Sequence, residues 1–177
     1  GLKSKEVLKV MNDKKFIKSM MDVYPDLITD EVLAEDIRYP LEGYLYPATY
    51  SFYEEDPSIE SVLSTMIGKT KEVIGKYTEA MGDEWTVHEL LTMASLIEEE
   101  ATEQADRDKI SAVFQNRMKI DMPLQTDPTV LYALGEHKDR VTYKDLEVDS
   151  PYNLYRNKGL TPGPISNAGE TSITAAL

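Results

Sequence analysis

Apolar residues fall at Ile59, Val62, Leu63, Met66, Ile67, Val73, Ile74 and Tyr77. That spacing follows the period of an α-helix over several turns, so the chain must build its core chiefly by burying helix faces. Asp56-Pro57 reads as the start of this helix, with Asp as the cap and Pro in the first helical position. Gly82-Asp83 closes it after about Ala80, and Gly68 and Gly75 weaken it by ~1 kcal/mol each relative to Ala. Thr86 followed by Glu89 has the capping-box pattern and opens a second strong helix through Glu100. Further helices are predicted over Glu6 to Met11, Lys14 to Val23, Asp30 to Glu35, about Glu103 to Lys119, and Asp127 to Leu134, the last closed by Gly135. A short one opens between Thr142 and Asp145. Leu41 to Tyr50 (LEGYLYPATY) is too rich in Gly, Pro and aromatics for a helix and reads as extended, turn-containing chain. Ser150 to Gly169 carries three Pro, three Gly and three Asn, and reads as one long structured loop of the kind that often holds function.

Charge and composition remove several function classes. The 177 residues include 19 Lys and Arg against 32 Asp and Glu, a net charge of −13 with pI ≈ 4.6, which argues against a nucleic-acid partner. The absence of Cys excludes disulfides, thiolate metal sites and cysteine nucleophiles, and two His cannot form a multi-histidine centre. No apolar run approaches the ~20 residues of a membrane-spanning helix, and no signal peptide opens the chain.

The helix from Thr86 to Glu100 carries the first chemical signal. Leu90, Ala94, Ile97 and Ala101 form its apolar stripe, while His88, Thr92, Ser95 and Glu99 share the opposite face, where His88 and Glu99 read as solvated. Glu98 and Glu100 edge the apolar sector at the negative end of the helix dipole. Partial burial, that dipole and a neighbouring carboxylate all favour a protonated carboxyl, which is what a general acid needs. From periodicity the two glutamates are equivalent candidates, and an acidic frayed helix end is the alternative. Arg117 falls in the buried stripe of the next helix with Ile110, Val113 and Phe114, so it is expected to pair with an acid such as Glu100 or Asp106, or to reach solvent along its stem. Asp127 is either the second carboxylate of a glycosidase pair or a helix N-cap. Tyr152, Asn153, Tyr155 and Asn157 interleave rings and amides as sugar-binding surfaces do.

Five segments occur in order: Leu41 to Tyr50 (LEGYLYPATY), Met93 to Glu100 (MASLIEEE), Arg107 to Arg117 (RDKISAVFQNR), Pro123 to Thr129 (PLQTDPT) and Ser150 to Asn167 (SPYNLYRNKGLTPGPISN). Together they closely resemble the endolytic murein transglycosylase (YceG-like) family. The resemblance implies an α+β, mainly helical fold: a lysozyme-like catalytic domain with short strands and a long C-terminal loop over residues 41–177, truncated at its C-terminal end. Residues 1–40 would be a helical connector or the tail of a LysM-like region. It further implies a bacterial lytic transglycosylase that cuts MurNAc–GlcNAc β-1,4 bonds of nascent peptidoglycan strands and leaves 1,6-anhydro-MurNAc ends. Such an enzyme works without a cofactor on the outer face of the cytoplasmic membrane, anchored by a helix outside this chain and partnered by peptidoglycan synthases. The family's acid maps to Glu98, with Glu100 as the fallback, and Asn116, Gln125, Thr126, Asp127, Tyr152, Asn153 and Tyr155 would line the glycan cleft. Where relatives often read Glu-Lys-Glu, this chain has Glu98-Glu99-Glu100. The rival readings are a hydrolytic muramidase and a non-catalytic glycan-binding module.

Overall fold

A computed structural model describes residues 4–101, 106–136, 138 and 140–177. Eight α-helices follow in chain order among these residues: α1 (Lys5–Met11), α2 (Lys14–Val23), α3 (Ile59–Gly75), α4 (Thr78–Met81), α5 (Val87–Glu100), α6 (Arg107–Lys119), α7 (Asp127–Leu134) and α8 (Glu170–Ala176). Two single 3₁₀ turns, Asp30–Leu33 and Asp145–Glu147, sit between them. The expected helix start at Glu103 lies outside the described residues. The expected start at Asp56 shifts to Ile59, because the hydroxyl of Ser58 accepts from Ser61 N–H and caps the helix there.

α5 is the central element. Its capping box is complete, with Thr86 accepting from Glu89 N–H and the Glu89 carboxylate accepting from Thr86 N–H. Leu90, Leu91, Met93, Ala94, Leu96 and Ile97 are all buried, and α6, α7 and α8 pack around the helix. α1 packs on α2 and α3, and Met11, Ile17 and Met20 join the same hydrophobic cluster as Leu63, Ile67 and Val73.

The α+β expectation is corrected: among the described residues there is no strand, and the domain is helical. Residues 41–50 carry a turn, as expected, with Tyr44 N–H donating to the carbonyl of Leu41, and several further backbone groups meet side chains instead of a partner strand. Gly43 N–H and Leu45 N–H both donate to Oδ1 of Asn167, at 2.8 and 3.1 Å. Tyr46 N–H donates to Thr70 Oγ1, whose hydroxyl donates to the carbonyl of Tyr44. Local side-chain bonds of this kind compete directly with a β-ladder. They also tie this segment to α3 and to the long loop.

His88 corrects a second expectation. It is buried, with Nδ1 2.8 Å from the hydroxyl of Tyr44 and Nε2 2.7 Å from the carbonyl of Pro162. A carbonyl can only accept, so Nε2 carries the hydrogen and Nδ1 accepts from Tyr44. Burial pushes the Tyr44 phenol up, which keeps that donor in place. The polar stripe of α5 is therefore covered at His88, Thr92 and Ser95, and only Glu99 at its end stays exposed. Ser95 reinforces the contact by accepting from Ile165 N–H at 3.0 Å while donating to the carbonyl of Thr92.

Candidate active site

The three glutamates leave the core in the last turn of α5 and go to different places. Glu98 is ringed by donors. Its Oε2 accepts from the hydroxyl of Ser172 at 2.5 Å and from Gly169 N–H at 3.3 Å, and its Oε1 meets Arg107 Nη2 at 3.4 Å. Arg107 Nε also donates to Ser172, which is fully buried. Glu98 thus joins α5, α6 and the start of α8 through one carboxylate.

Glu100 is exposed and meets the other wall. Its Oε2 accepts from Thr126 Oγ1 at 2.6 Å. Thr126 is the N-cap of α7, yet its hydroxyl makes no capping bond because it is turned toward Glu100. Asp127, read from sequence as the cap or a second acid, is instead the first residue of α7, and its Oδ1 accepts from the Tyr155 hydroxyl at 2.5 Å. Burial, that hydrogen bond and the charges of Asp127 and Glu100 push the Tyr155 phenol up to about 12, with Arg117 acting in the opposite direction. Tyr155 therefore remains a donor to Asp127 throughout the physiological range.

The wall is rigid by construction. Gln125 sits at φ +53°, a left-handed conformation uncommon for a side-chain-bearing residue, and its N–H donates to the carbonyl of Leu154. Thr129 Oγ1 donates to the carbonyl of Thr126. Segment 124–129 is thereby laced to the long loop at Leu154. Arg117 completes this corner without the carboxylate partner expected of it: Nη1 donates to the carbonyl of Leu124, and no ion pair forms among the described residues. The chain reverses after α6 through Asp121 at φ +56°, which carries Leu124 back over the guanidinium. The arginine that does pair with an α5 acid is Arg107.

The structure thus gathers Thr126, Asp127 and Tyr155 around Glu100, with Gln125 next in chain. It does not place Tyr152 or Asn153 there. Asn153 is fully buried and spends its amide on the carbonyls of Leu146 and Val148, with its Oδ1 accepting from Tyr155 N–H. Tyr152 is buried against the Tyr132 ring, and its hydroxyl accepts from Arg38 N–H. Both hold the loop in shape. Asn116 is exposed on α6.

Two hollows meet at this corner. The smaller is lined by Glu99, Glu100, Asp127, Pro128, Leu131, Lys138, Arg140 and Val141. Beside it, sharing Glu99, Pro128 and Leu131, lies a cavity of about 630 Å³ whose walls include Leu8, Met11, Arg38, Tyr39, Glu42, Tyr132, Ile165 and Asn167. Sequence reasoning missed Arg38 and Glu42. Arg38 lies outside all five segments, and Glu42, though within LEGYLYPATY, has no spacing that marks it as a site residue; both reach the cavity through long-range packing. Glu99 is exposed, as expected, but lines both hollows. An acid on an exposed helix end, beside a second carboxylate held by a tyrosine, can deliver and recover a proton in a surface hollow.

The model of the YceG-like family matches residues 1–177. A Bacillus subtilis (strain 168) protein named endolytic murein transglycosylase is 57% identical over 174 residues, covering 98% of this chain and 48% of that protein. A Streptococcus pneumoniae protein of the same name (serotype 2, strain D39) is 38% identical, covering 100% of this chain and 33% of its own length. The crystal structure of a YceG-like protein from Listeria monocytogenes superposes with a TM-score of 0.93 at 56% identity, covering 97% of this chain and 56% of that one. The chain spans about half or less of the length of these curated relatives.

Proposed function

Because the chain belongs to the YceG-like family, we propose that it carries the catalytic centre of an endolytic murein transglycosylase and that Glu100 is its acid. The resemblance in sequence favoured Glu98, and the observation that carries the reassignment is the difference in partners. Glu98 is fixed among three donors between helices, whereas Glu100 stands exposed in the groove with a single threonine hydroxyl orienting it.

In the proposed reaction, protonated Glu100 donates to the glycosidic oxygen as the MurNAc–GlcNAc bond breaks through an oxocarbenium-like state. The resulting carboxylate takes the proton of the MurNAc 6-hydroxyl, whose oxygen bonds to C1 and closes a 1,6-anhydro ring. Glu100 ends protonated, as it began, and no water is consumed. Asp127, held by Tyr155, adds negative charge in the same hollow as positive charge develops on the sugar. Lys138 and Arg140 also line this hollow. On this reading the whole protein acts on nascent strands at the outer face of the cytoplasmic membrane, beside the synthases that make them. No helix among the described residues is long and apolar enough to cross a membrane.

Asp127 also favours a second reading, because a further carboxyl group beside Glu100 could deliver water and make the enzyme a muramidase. Purified long glycan strands given to the full-length protein test for cutting. Rapid shortening of long strands with mid-length products is expected. Release of terminal disaccharides alone would contradict internal cutting, and intact strands would favour a binding module.

A further inference from the structure

Resting on the proposed reading of this centre as murein-cutting, we infer that the adjoining cavity of about 630 Å³ receives the peptide branch of the glycan, with Arg38 binding a peptide carboxylate. Arg38 is exposed but built into place. Its guanidinium carbon lies 5.6 Å from the ring centre of Tyr39 and 5.5 Å from that of Tyr132. Nη1 donates to the carbonyl of Tyr132. Gly135, at φ +71°, leaves the space that Nη2 needs, since a Cβ there would lie 2.8 Å from it.

So clamped, Arg38 forms no ion pair with a carboxylate among the described residues. Such a preorganised guanidinium fork, with donors unspent, matches the planar geometry of a carboxylate. The glycan backbone of murein offers hydroxyls and acetamides and has no call for a fixed cation. The peptide carried by each MurNAc ends in a carboxylate. Leu8, Met11 and Ile165 give the cavity apolar wall for short peptide side chains, and its volume lies within the usual range of ~300–1,000 Å³ for ligand sites. Glu99, exposed and unpaired among the described residues, lies at the junction with the hollow holding Glu100 and would meet a peptide amine. Glu99, Pro128 and Leu131 line both hollows, so a branch from a sugar at Glu100 would start beside the cavity.

The test uses two free stem pentapeptides, one with its terminal carboxylate and one with a terminal carboxamide, titrated calorimetrically into the full-length protein. The acid form is expected to bind at least about tenfold more tightly, the scale of one charge-assisted contact. In Arg38→Gln that preference should vanish, and Arg38→Lys should recover part of it. Equal binding of the two peptides by the natural protein, or binding of neither at millimolar concentration, would overturn the inference without any variant. Cleavage of strands carrying peptides is followed separately. Peptide binding without cleavage would overturn the proposed reaction, and cleavage without carboxylate-dependent binding would overturn only the role of the cavity.

Discussion

Glu100→Gln is expected to lower glycan cleavage by ~10³-fold, within the range lost with a positioned general acid, while its melting temperature stays within a few degrees of the natural protein. Glutamine keeps the shape and can still accept from Thr126 Oγ1, but it has no proton to give. The residue is exposed, so nothing in the core registers the change. Glu98→Gln should behave in the opposite way. Its amide would put a donor against Arg107 or Gly169 N–H, loosening the joint between α5, α6 and α8 at a cost of about 1–3 kcal/mol, as for a half-buried charged pair that loses one partner. Activity per folded molecule should then fall far less than in Glu100→Gln. Parallel rate and melting measurements on the two variants check both halves, and a dead but stable Glu98→Gln beside an active Glu100→Gln would reverse the assignment.

Gly43→Ala is expected to destabilise the domain by about 2–5 kcal/mol, combining ~1–2 kcal/mol for a left-handed residue with ~1–3 kcal/mol for overpacking. Gly43 sits at φ +87°, and an added Cβ would lie 2.3 Å from Pro164 Cγ and 2.4 Å from Pro164 Cβ. Neither the proline ring nor the segment can easily withdraw, because Asn167 holds Gly43 and Leu45 by their N–H groups while Ser95 holds Ile165. Since Glu42 on one side and Ile165, Ser166 and Asn167 on the other line the large cavity, the same change should also weaken substrate binding. Chemical denaturation measures the first effect and KM on glycan strands the second.

Helices were legible because their signals are local. The capping box at Thr86, the Pro after Asp127 and the αL glycine at Gly135 each act within a turn, and the structure keeps all three. That the segment from Leu41 to Tyr50 bonds to side chains was not legible, because the acceptors, Asn167 and Thr70, lie far away in sequence. His88 looked solvated for the same reason: helical spacing reveals which residues share a face, but not that a loop 74 residues later covers it. Of the cleft, Thr126, Asp127 and Tyr155 could be read from motif and composition, whereas Tyr152 and Asn153 share that composition but serve the loop. Arg38 gave no signal, since its setting is assembled from Tyr39, Tyr132 and Gly135 across the fold.

The central claim is that one carboxyl group, Glu100, passes a proton from the MurNAc 6-hydroxyl to the departing sugar without water. Cleavage in H₂¹⁸O followed by mass analysis of the new ends tests it most directly. The account predicts 1,6-anhydro-MurNAc ends, one water lighter than hydrolytic ends and free of ¹⁸O. Reducing MurNAc ends carrying ¹⁸O at C1 would contradict it and give Asp127 the role of directing water.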